Sequence, residues 1–345
     1  MAAEQTIEWF GATTFRFKTN GLTIFLDTWL ERLSNIETFL TVDQVEECDY
    51  IFISHAHFDQ LPDADRLAKK TGAIIIANGE AINVVREAGV PDEQLLPVAS
   101  GERIPLFTKE AWEESRAAPK PDPPKPGPQF PPSPDPSKAA IAVHAYPSLH
   151  CLMPGGPGEH PEITDTATEY NGSASPYSCT VDITMGMKYG LLAMAKAPEH
   201  VRTKMPEFFQ SFLKYIADDK NKFSHLDGGH MMFNFIIGDQ TLLYMSHLGG
   251  YTGVLQQLQP KPDTIIMGIA GRGNIDGRPF DGSAAQCATN IVKWLGEKPK
   301  KIIWCLHDQA PIPPWHIKTE AMTKQVEAET GVRIWDLEHA RVYKL

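Results

Sequence analysis

The chain has 345 residues, and its 32 basic and 43 acidic side chains give a formal net charge of −11 with histidine neutral. A general nucleic-acid binder carries a basic surplus on one face, so this balance predicts no nucleic-acid partner and disfavours anionic membranes. Hydrophobic residues make up 42% of the chain, which is typical of a globular protein with a sizeable core.

The apolar runs and the cysteines indicate where such a chain would reside. No apolar run approaches the roughly 18 residues of a spanning helix, so we expect no stable membrane insertion. The first residues lack the basic and apolar regions of a secretory signal. Five widely spaced cysteines without a C-x-x-C pair favour reduced thiols. We therefore expect a cytoplasmic protein and leave its oligomeric state open.

The first ninety residues predict strands that alternate with helices. Strands are expected over residues 6–10, 14–18, 22–27, 50–54 and 73–77, and helices over residues 63–70 and 80–88. Asn20-Gly21 between two apolar runs is a strong hairpin signal. The run 50–54 does not alternate with polar residues, which is typical of a strand buried on both faces. This order predicts a sheet covered by helices.

Two insertions are predicted to interrupt this pattern. The first spans residues 109–139, and we interpret it as a Pro-rich surface loop, since ten of the eighteen residues from Pro119 to Pro136 are proline. This segment is either a docking motif or an insertion without a partner, and we favour the insertion without a partner. The second insertion spans residues 151–228. Its Met- and Phe-rich helical region, near 190–219, is interpreted as a lid over an apolar substrate.

Histidines follow the predicted strands that continue the sheet pattern. These strands span residues 140–145, 231–238, 241–246, 264–269 and 301–306. At a strand end, imidazoles from distant segments can converge on one ion. An isolated His-x-His pair is as well explained by hydrogen-bonded histidines, but the repetition favours a metal site. The candidate ligands are His55, His57, Asp59, His150, His247 and His307.

Other side chains have weaker claims to this site. His230 has the best claim among the remaining histidines. Asp27, at the end of its own strand, either orients a ligand imidazole or is a turn residue. The aromatic residues Trp9, Phe10 and Trp29 are expected near the rim of the substrate pocket. The segment 271–274 is interpreted as a turn, since it lacks the Lys-Ser/Thr of a phosphate-binding loop.

The pattern His55-Ala56-His57-Phe58-Asp59 after a buried strand resembles the metallo-β-lactamase superfamily, whose motif is His-x-His-x-Asp-His. One branch contains ascorbate phosphate lactonase and N-acyl phosphatidylethanolamine phospholipase D. Two segments are similar to that branch: Ile7-Glu8-Trp9-Phe10-Gly11-Ala12-Thr13-Thr14-Phe15-Arg16-Phe17 and Leu26-Asp27-Thr28-Trp29. The resemblance covers most of the chain outside the insertions. It implies an α/β fold, a four-layer αββα sandwich, which we expect to form a single domain over residues 1–345.

The resemblance also implies ligand roles. His55, His57 and His150 match the ligands of a first metal, while Asp59 and His307 match ligands of a second.

The second site departs from the family pattern at two positions. Gln60 stands where the family has the last motif histidine, and His247 stands where it has a metal-bridging aspartate. An amide oxygen is a weak ligand for a borderline-soft ion, and a neutral imidazole offers only one lone pair. We therefore expect one firmly bound Zn²⁺, with Mn²⁺ or Fe²⁺ as alternatives, and a second ion is left open.

An ion held mostly by imidazoles would acidify a bound water and supply a hydroxide nucleophile. If Asp59 is not a ligand, it is the expected general base, and His307 would polarise a carbonyl or protonate a leaving group. The sequence therefore predicts a metal-dependent hydrolase of an ester or lactone-like bond in a small, partly apolar molecule. A phosphodiesterase or phospholipase-type hydrolase, and a non-catalytic metal-binding scaffold, are the alternatives.

Overall fold

The computed structural model describes residues 5–118, 133–153, 166–172, 186–311 and 315–345. Its strands, in chain order, are β1 (Thr6–Trp9), β2 (Phe15–Thr19), β3 (Leu22–Leu26), β4 (Tyr50–Phe52), β5 (Ile74–Ala77), β6 (Leu95–Pro97), β7 (Arg103–Leu106), β8 (Ile141–Pro147), β9 (Met231–Ile237), β10 (Gln240–Met245), β11 (Gly249–Gly250), β12 (Thr264–Gly268), β13 (Asn274–Ile275), β14 (Arg278–Pro279), β15 (Lys301–Cys305), β16 (Arg333–Trp335) and β17 (Tyr343–Lys344).

The α-helices of the described residues are α1 (Ala64–Thr71), α2 (Gly79–Glu87), α3 (Lys109–Ala117), α4 (Leu192–Ala195), α5 (Glu199–Arg202), α6 (Glu207–Ala217), α7 (Thr252–Gln257), α8 (Ala284–Leu295) and α9 (Glu320–Thr330). A π-helix (Gly186–Leu191) precedes α4, and short 3₁₀ turns span Val42–Gln44, Asp92–Gln94 and Pro136–Lys138. None of these helices is long and apolar enough to cross a bilayer.

Two seven-stranded sheets form the frame. The first has the order β17-β1-β2-β3-β4-β5-β6, antiparallel from β17 to β3 and parallel from β3 to β6. The second has the order β16-β15-β12-β10-β9-β8-β7, parallel from β16 to β10 and antiparallel from there to β7. Strands β11, β13 and β14 form a small third sheet.

The sheets pack face to face, with helices on both outer faces. Aromatic side chains fill the space between them, and the rings of Phe52 and Phe235 lie 4.9 Å apart across it. Apolar residues of α1 and α2 pack on the outer face of the first sheet. Those of α7, α8 and α9 pack on the outer face of the second. This is the four-layer αββα sandwich predicted from the sequence.

Local sequence signals explain the elements that lead to the site. Asn20 and Gly21 have φ values of 47° and 77°, the left-handed conformation that a tight hairpin turn requires. Every residue of β4 is buried, as the unalternating run predicted. The apolar run therefore ends inside the molecule, which places the residues after β4 in a buried position.

The first insertion begins with a helix, so the predicted loop is wrong over residues 109–117. Helix α3 occupies this part, and Thr108 caps it by accepting a hydrogen bond from the Ala111 amide. The prolines begin only after this helix. Residues 119–132, the centre of the predicted Pro-rich loop, lie outside the described residues. The division into one domain with two insertions stays a prediction.

The second insertion is mostly helical over residues 186–217, which agrees with the helical region predicted near 190–219, whereas its described residues 151–153, 166–172 and 218–228 contain no helix. We call residues 186–217 the lid; they comprise the π-helix and helices α4 to α6. Phe212 and Leu213 of the lid are buried in a cluster that also holds Trp29 and Phe58 from the loops of the first sheet. Residues 154–165 and 173–185 lie outside the described part of the chain. The lid is therefore anchored on the loops that follow β3 and β4.

Glu31 adds a charged contact beside the lid. Its carboxylate accepts hydrogen bonds from Arg66 at 3.0 Å and from Lys220 at 2.9 Å. Burial raises the pKa of Glu31, but the bonds and charges of Arg66 and Lys220 outweigh burial and lower it from 4.5 to about 2. Since the folded pKa is the lower one, this stabilisation is complete above pH 4.5 and is lost as the pH falls towards 2.

We expect Glu31→Gln to lower the free energy of unfolding by about 1 kcal/mol near neutral pH, because the pairs are partly exposed to solvent. The difference from the parent protein should shrink steadily below the ordinary pKa of glutamate and vanish near pH 2. Urea unfolding at several pH values measures this. A deficit that stays constant across the acidic range would show that the carboxylate charge is not its source.

Candidate metal centre

Four imidazoles from three segments meet where strands of both sheets end. His55 and His57 follow β4, His150 follows β8 and His247 follows β10. The ring centroid of His55 lies 4.7 Å from that of His57 and 4.9 Å from those of His150 and His247. The rings of His150 and His247 are stacked at 4.0 Å. The structure thus brings together four of the histidines predicted as ligands.

The chemical state of these rings fits a divalent transition metal. Possible ligand atoms of His55, His150 and His247 all lie within 4.8 Å of one another. The Nε2 atoms of His55, His57 and His247 are buried and have no hydrogen-bond partner among the described residues. A buried polar atom without a hydrogen-bond partner costs about 1–3 kcal/mol of stability, and a bound cation would remove that cost. Burial, followed by the neighbouring imidazoles, holds the pKa of all three rings well below the ordinary value. The rings are therefore neutral, as metal ligands must be.

A hydrogen-bonded chain fixes the tautomer of His55. Ser54 donates its hydroxyl proton to Asp27 Oδ2 at 2.9 Å, and Ser54 Oγ lies 3.0 Å from His55 Nδ1. Because the hydroxyl proton goes to Asp27, Ser54 Oγ accepts a proton from Nδ1 and leaves the lone pair on Nε2. Asp27 is fully buried, and burial raises its pKa to about 7 against the bonds from Ser54, Tyr244 and Thr13. The predicted influence of Asp27 on a ligand ring thus passes through Ser54.

Cys151 orients the two stacked imidazoles. His150 Nδ1 lies 2.6 Å from the Cys151 carbonyl oxygen, which can only accept, so Nδ1 carries the proton and Nε2 the lone pair. His247 Nδ1 lies 3.2 Å from Cys151 Sγ. When Nδ1 of His247 carries the proton and donates it to Sγ, the lone pair lies on the buried Nε2, which is then the ligand atom of His247. Sequence reasoning did not assign any role to Cys151.

His230, which had the best claim among the remaining histidines, is a fifth ring of this cluster. Its centroid lies 4.9 Å from that of His55 and 5.1 Å from that of His247. Strand β9 runs antiparallel to β10 with Phe233 opposite Tyr244. Continuing this register places His230 opposite His247. The short turn between these two predicted strands was the sequence signal that could have placed His230 beside His247.

A cavity of about 340 Å³ adjoins the cluster. Its polar side chains include those of His57, Asp59, His150, His247 and Asp308. The lid supplies much of the apolar wall through Met187, Leu191, Met194 and Phe209.

Asp59 lines this cavity, and its predicted role as a ligand or general base stays a prediction. Burial raises the pKa of Asp59 to about 6, while Gln60 and Arg32 act in the opposite direction.

His307 is not among the described residues that line this cavity. Its Nε2 donates to Asp336 at 2.8 Å, and its ring stacks on Trp9 with centroids 4.8 Å apart. Leu306 has a left-handed φ of 63°, and this turn brings Leu306 and Asp308 to the cavity wall while His307 contacts Trp9 and Asp336. Sequence reasoning overlooked Asp308 because left-handed backbone at a leucine has no sequence signal.

Trp9, Phe10 and Trp29, which were expected near the rim of the substrate pocket, are not among the residues that line this cavity. All three are buried. Trp9 belongs to the core between the sheets, Phe10 packs with Phe25 on the helix side of the first sheet, and Trp29 packs beneath the lid. Large apolar rings at these positions stabilise the frame of the site instead.

The segment 271–274, interpreted as a turn from the sequence, is a bend at Gly271 that pairs Arg272 with Leu152 and enters β13 at Asn274. Gly271 has a φ of 78°, and a Cβ there would lie 2.7 Å from Cys151 Sγ and 2.8 Å from the Leu152 carbonyl oxygen. Glycine is therefore required for both the backbone conformation and the close approach. The bend holds the Cys151-Leu152 segment, and with it the orientation of His150 and His247.

Comparison with known proteins finds sequence relatives over about a quarter of the chain and structural relatives over nearly all of it. No protein-family model matches it. One hundred residues are 34% identical to a UPF0173 metal-dependent hydrolase of Pyrobaculum islandicum, which is 29% of this chain and 44% of that protein. Eighty-nine residues are 37% identical to one of Anaeromyxobacter sp., which is 26% of this chain and 32% of that protein. The chain thus spans less than half the length of these relatives.

Solved structures resemble the chain over nearly its full length. Igni18, a metallo hydrolase of Ignicoccus hospitalis, matches with a TM-score of 0.56 and 13% identity over 99% of both chains. An isothiocyanate hydrolase from Delia radicum gut bacteria matches with a TM-score of 0.50 and 10% identity, over 99% of this chain and 100% of that chain. A CmlA β-hydroxylase variant matches with a TM-score of 0.51 and 13% identity, over 100% of this chain and 55% of that chain. At such identities the likeness shows the fold, which is the metallo-β-lactamase fold.

Proposed function

We propose that this metallo-β-lactamase-fold protein is a metal-dependent hydrolase that cleaves an ester or lactone-like bond in a small, partly apolar organic molecule. The observation that carries the proposal is the group of His55, His150 and His247, whose possible ligand atoms lie within 4.8 Å of one another. Two of these residues, His150 and His247, also line the cavity. The matched relatives of Pyrobaculum and Anaeromyxobacter are named metal-dependent hydrolases, which agrees with this class of reaction.

One divalent ion would be held by His55, His150 and His247, with His57 beside this group, and three protein ligands leave a further position of the ion open. A nitrogen-rich donor set favours Zn²⁺, with Mn²⁺ or Fe²⁺ as alternatives. When bound, such an ion supplies Lewis acidity that lowers the pKa of water and polarises a carbonyl oxygen.

Asp59 is the proposed general base. Its side chain lines the cavity that His57 also lines, so it can accept a proton from a water molecule beside the substrate. His307 stays a predicted acid or polarising group, and Asp336 orients its ring through the 2.8 Å bond to Nε2. A role at the substrate would require His307 to leave its present surroundings, so Asp59 has the stronger structural support.

The cavity favours an uncharged, partly apolar substrate over a phosphodiester. Its volume of about 340 Å³ suits a small organic molecule, and methionines of the lid adapt to irregular shapes. None of the described residues that line it is Lys or Arg, whereas two of them, Asp59 and Asp308, are acidic. These carboxylates would repel a phosphate anion, and phosphodiester cleavage commonly uses two metals as a clamp.

Metal analysis combined with a substrate panel tests the proposal. The panel contains p-nitrophenyl esters of increasing acyl length, several lactones and bis-p-nitrophenyl phosphate, each assayed before and after chelation and after return of zinc. We expect bound metal and ester or lactone turnover that chelation abolishes and zinc restores. Turnover of the phosphodiester alone would replace this proposal with the phosphodiesterase alternative. Bound metal without any turnover would favour a scaffold.

Leu191 tests whether the lid forms the acyl pocket. The residue lines the cavity from the π-helix, so Leu191→Trp should fill space that a long acyl chain needs. We expect KM for the longest accepted ester to rise about tenfold, while the acetate ester and the metal content change little. Tyr189→Trp is the matched control, because Tyr189 belongs to the same π-helix and is 62% exposed. Equal effects on all esters, or none, would place the acyl group elsewhere.

A further inference from the structure

We infer that His230 is a further ligand of the metal centre, which makes the centre richer in imidazole than its strand-end histidines alone provide. The inference rests on the metal-binding part of the proposed function. His230 is 3% exposed, and its Nδ1 is buried without a hydrogen-bond partner among the residues that the structure describes. Such an atom has either lost its hydration without compensation or binds something that the protein alone does not supply.

The spacing of the rings supports a shared ion. Imidazoles bind zinc with the nitrogen about 2 Å from the ion, so the centres of two ligand rings lie roughly 5 Å apart at a tetrahedral angle and about 6 Å apart on opposite sides. The centroid of His230 lies 4.9 Å from that of His55 and 5.1 Å from that of His247. Its distance to the centroid of His150 is 6.2 Å. These centroid distances are in the range for imidazoles around one ion, while the ligand atoms that already lie within 4.8 Å of one another belong to His55, His150 and His247, so binding by His230 requires its ring to shift.

Ser246 defines which nitrogen of His230 is available. The hydroxyl Oγ of Ser246 lies 2.9 Å from His230 Nε2. When Nε2 donates to this oxygen, Nδ1 keeps the lone pair, and Nδ1 is the atom left without a partner. The contact of Nε2 with Ser246 therefore leaves Nδ1 as the nitrogen that can bind a metal.

The fold provides access to this side of the cluster. His150 and His230 both line a second cavity, of about 410 Å³, which also contacts Asn78 and Tyr251. The rings are therefore reachable from two sides, from the substrate cavity and from this one. A site built from neutral imidazoles selects borderline ions such as zinc, cobalt or nickel over magnesium or calcium, which prefer oxygen ligands.

His230→Ala in the full chain tests the inference by metal binding rather than by activity. Zinc affinity is measured by competition with a chromophoric chelator, and the number of imidazole ligands by X-ray absorption of the zinc-loaded protein. Loss of a residue that merely supports a ligand costs 10–100-fold in affinity, so loss of a ligand should cost about 100-fold or more. We expect that loss, together with one imidazole fewer around zinc and an altered visible spectrum of the cobalt form.

Two matched variants separate ligation from support. Ser246→Ala removes only the partner of Nε2 and should keep the imidazole count of the parent protein. His144→Ala removes a histidine of β8 that bonds to the Gln259 carbonyl and should change nothing at the metal. If His230→Ala does not fold, His230→Gln keeps most of the side-chain volume and supplies only a weak ligand.

If His230 had only a structural role, His230→Ala would lower the melting temperatures of the metal-free and zinc-loaded forms by the same amount. The stabilisation by zinc would then be unchanged. That result, or an unchanged imidazole count in His230→Ala, overturns the inference while leaving the proposed function intact. If the parent protein binds none of zinc, cobalt, nickel, manganese and iron, both the inference and the proposed function fail.

Discussion

Replacing His55 by alanine is expected to remove the metal and to reduce hydrolysis by on the order of a thousandfold. The His55 ring is central to the cluster, since its centroid lies 4.7 to 4.9 Å from those of four other histidines. A Lewis-acidic ion contributes several kcal/mol to transition-state stabilisation, and each 1.4 kcal/mol corresponds to a factor of about ten in rate. Elemental analysis of the purified variant and assays with the best ester or lactone measure the two effects.

The control for this variant is again His144→Ala, which removes a histidine of the same protein outside the cluster. It should retain the metal content and turnover of the parent protein. Because His55 is fully buried, circular dichroism of the metal-free forms must show that His55→Ala is folded. A folded His55→Ala that keeps both metal and turnover would refute the site. Loss of metal with normal turnover would refute the metal dependence of the reaction.

Many of the strands could be predicted because their signals are local, whereas their order in the two sheets was not predicted. The run Tyr50–Phe52 is apolar throughout, and Asn20-Gly21 specifies a hairpin turn, so each element is readable within a few residues of sequence. Helix α9 escaped prediction because it buries only the single stripe Met322, Val326 and Thr330. Strands β6, β16 and β17, of three, three and two residues, are too short to show a period.

The candidate site could be predicted in part, since a histidine after a buried strand is a local pattern. His55, His57, His150 and His247 meet for that reason. His230 depends on the pairing of β9 with β10, which relates residues 230 and 247 only after the strands have been aligned. His307 shows the opposite failure. Its position after β15 matches the pattern, but the left-handed Leu306 directs it to Trp9 and Asp336.

Arg32→Met is expected to destabilise the protein by about 3–5 kcal/mol, the cost of leaving a buried charge without its partner. Arg32 Nη1 lies 2.8 Å from Asp308 Oδ2, and the two side chains are only 1% and 8% exposed. The guanidinium also lies 4.6 Å from the ring centroid of Trp29 and donates to the Gln309 carbonyl. Burial raises the pKa of Asp308, but His339, Arg32 and the Ala12 amide outweigh burial and hold it below the ordinary value. Chemical denaturation near neutral pH measures the loss.

Arg341→Met is the control for this prediction, because Arg341 and Glu338 form a pair at 2.9 Å whose side chains are 60% and 72% exposed. It should cost less than about 1 kcal/mol, since solvent screens the charges. Combining Arg32→Met with Asp308→Leu removes the unpaired carboxylate and should recover part of the stability. If the double variant is instead less stable than Arg32→Met alone, the lost stability comes from packing on Trp29 rather than from the charge pair. Recovery would show that Arg32 serves to keep an ionised Asp308 at the wall of the cavity.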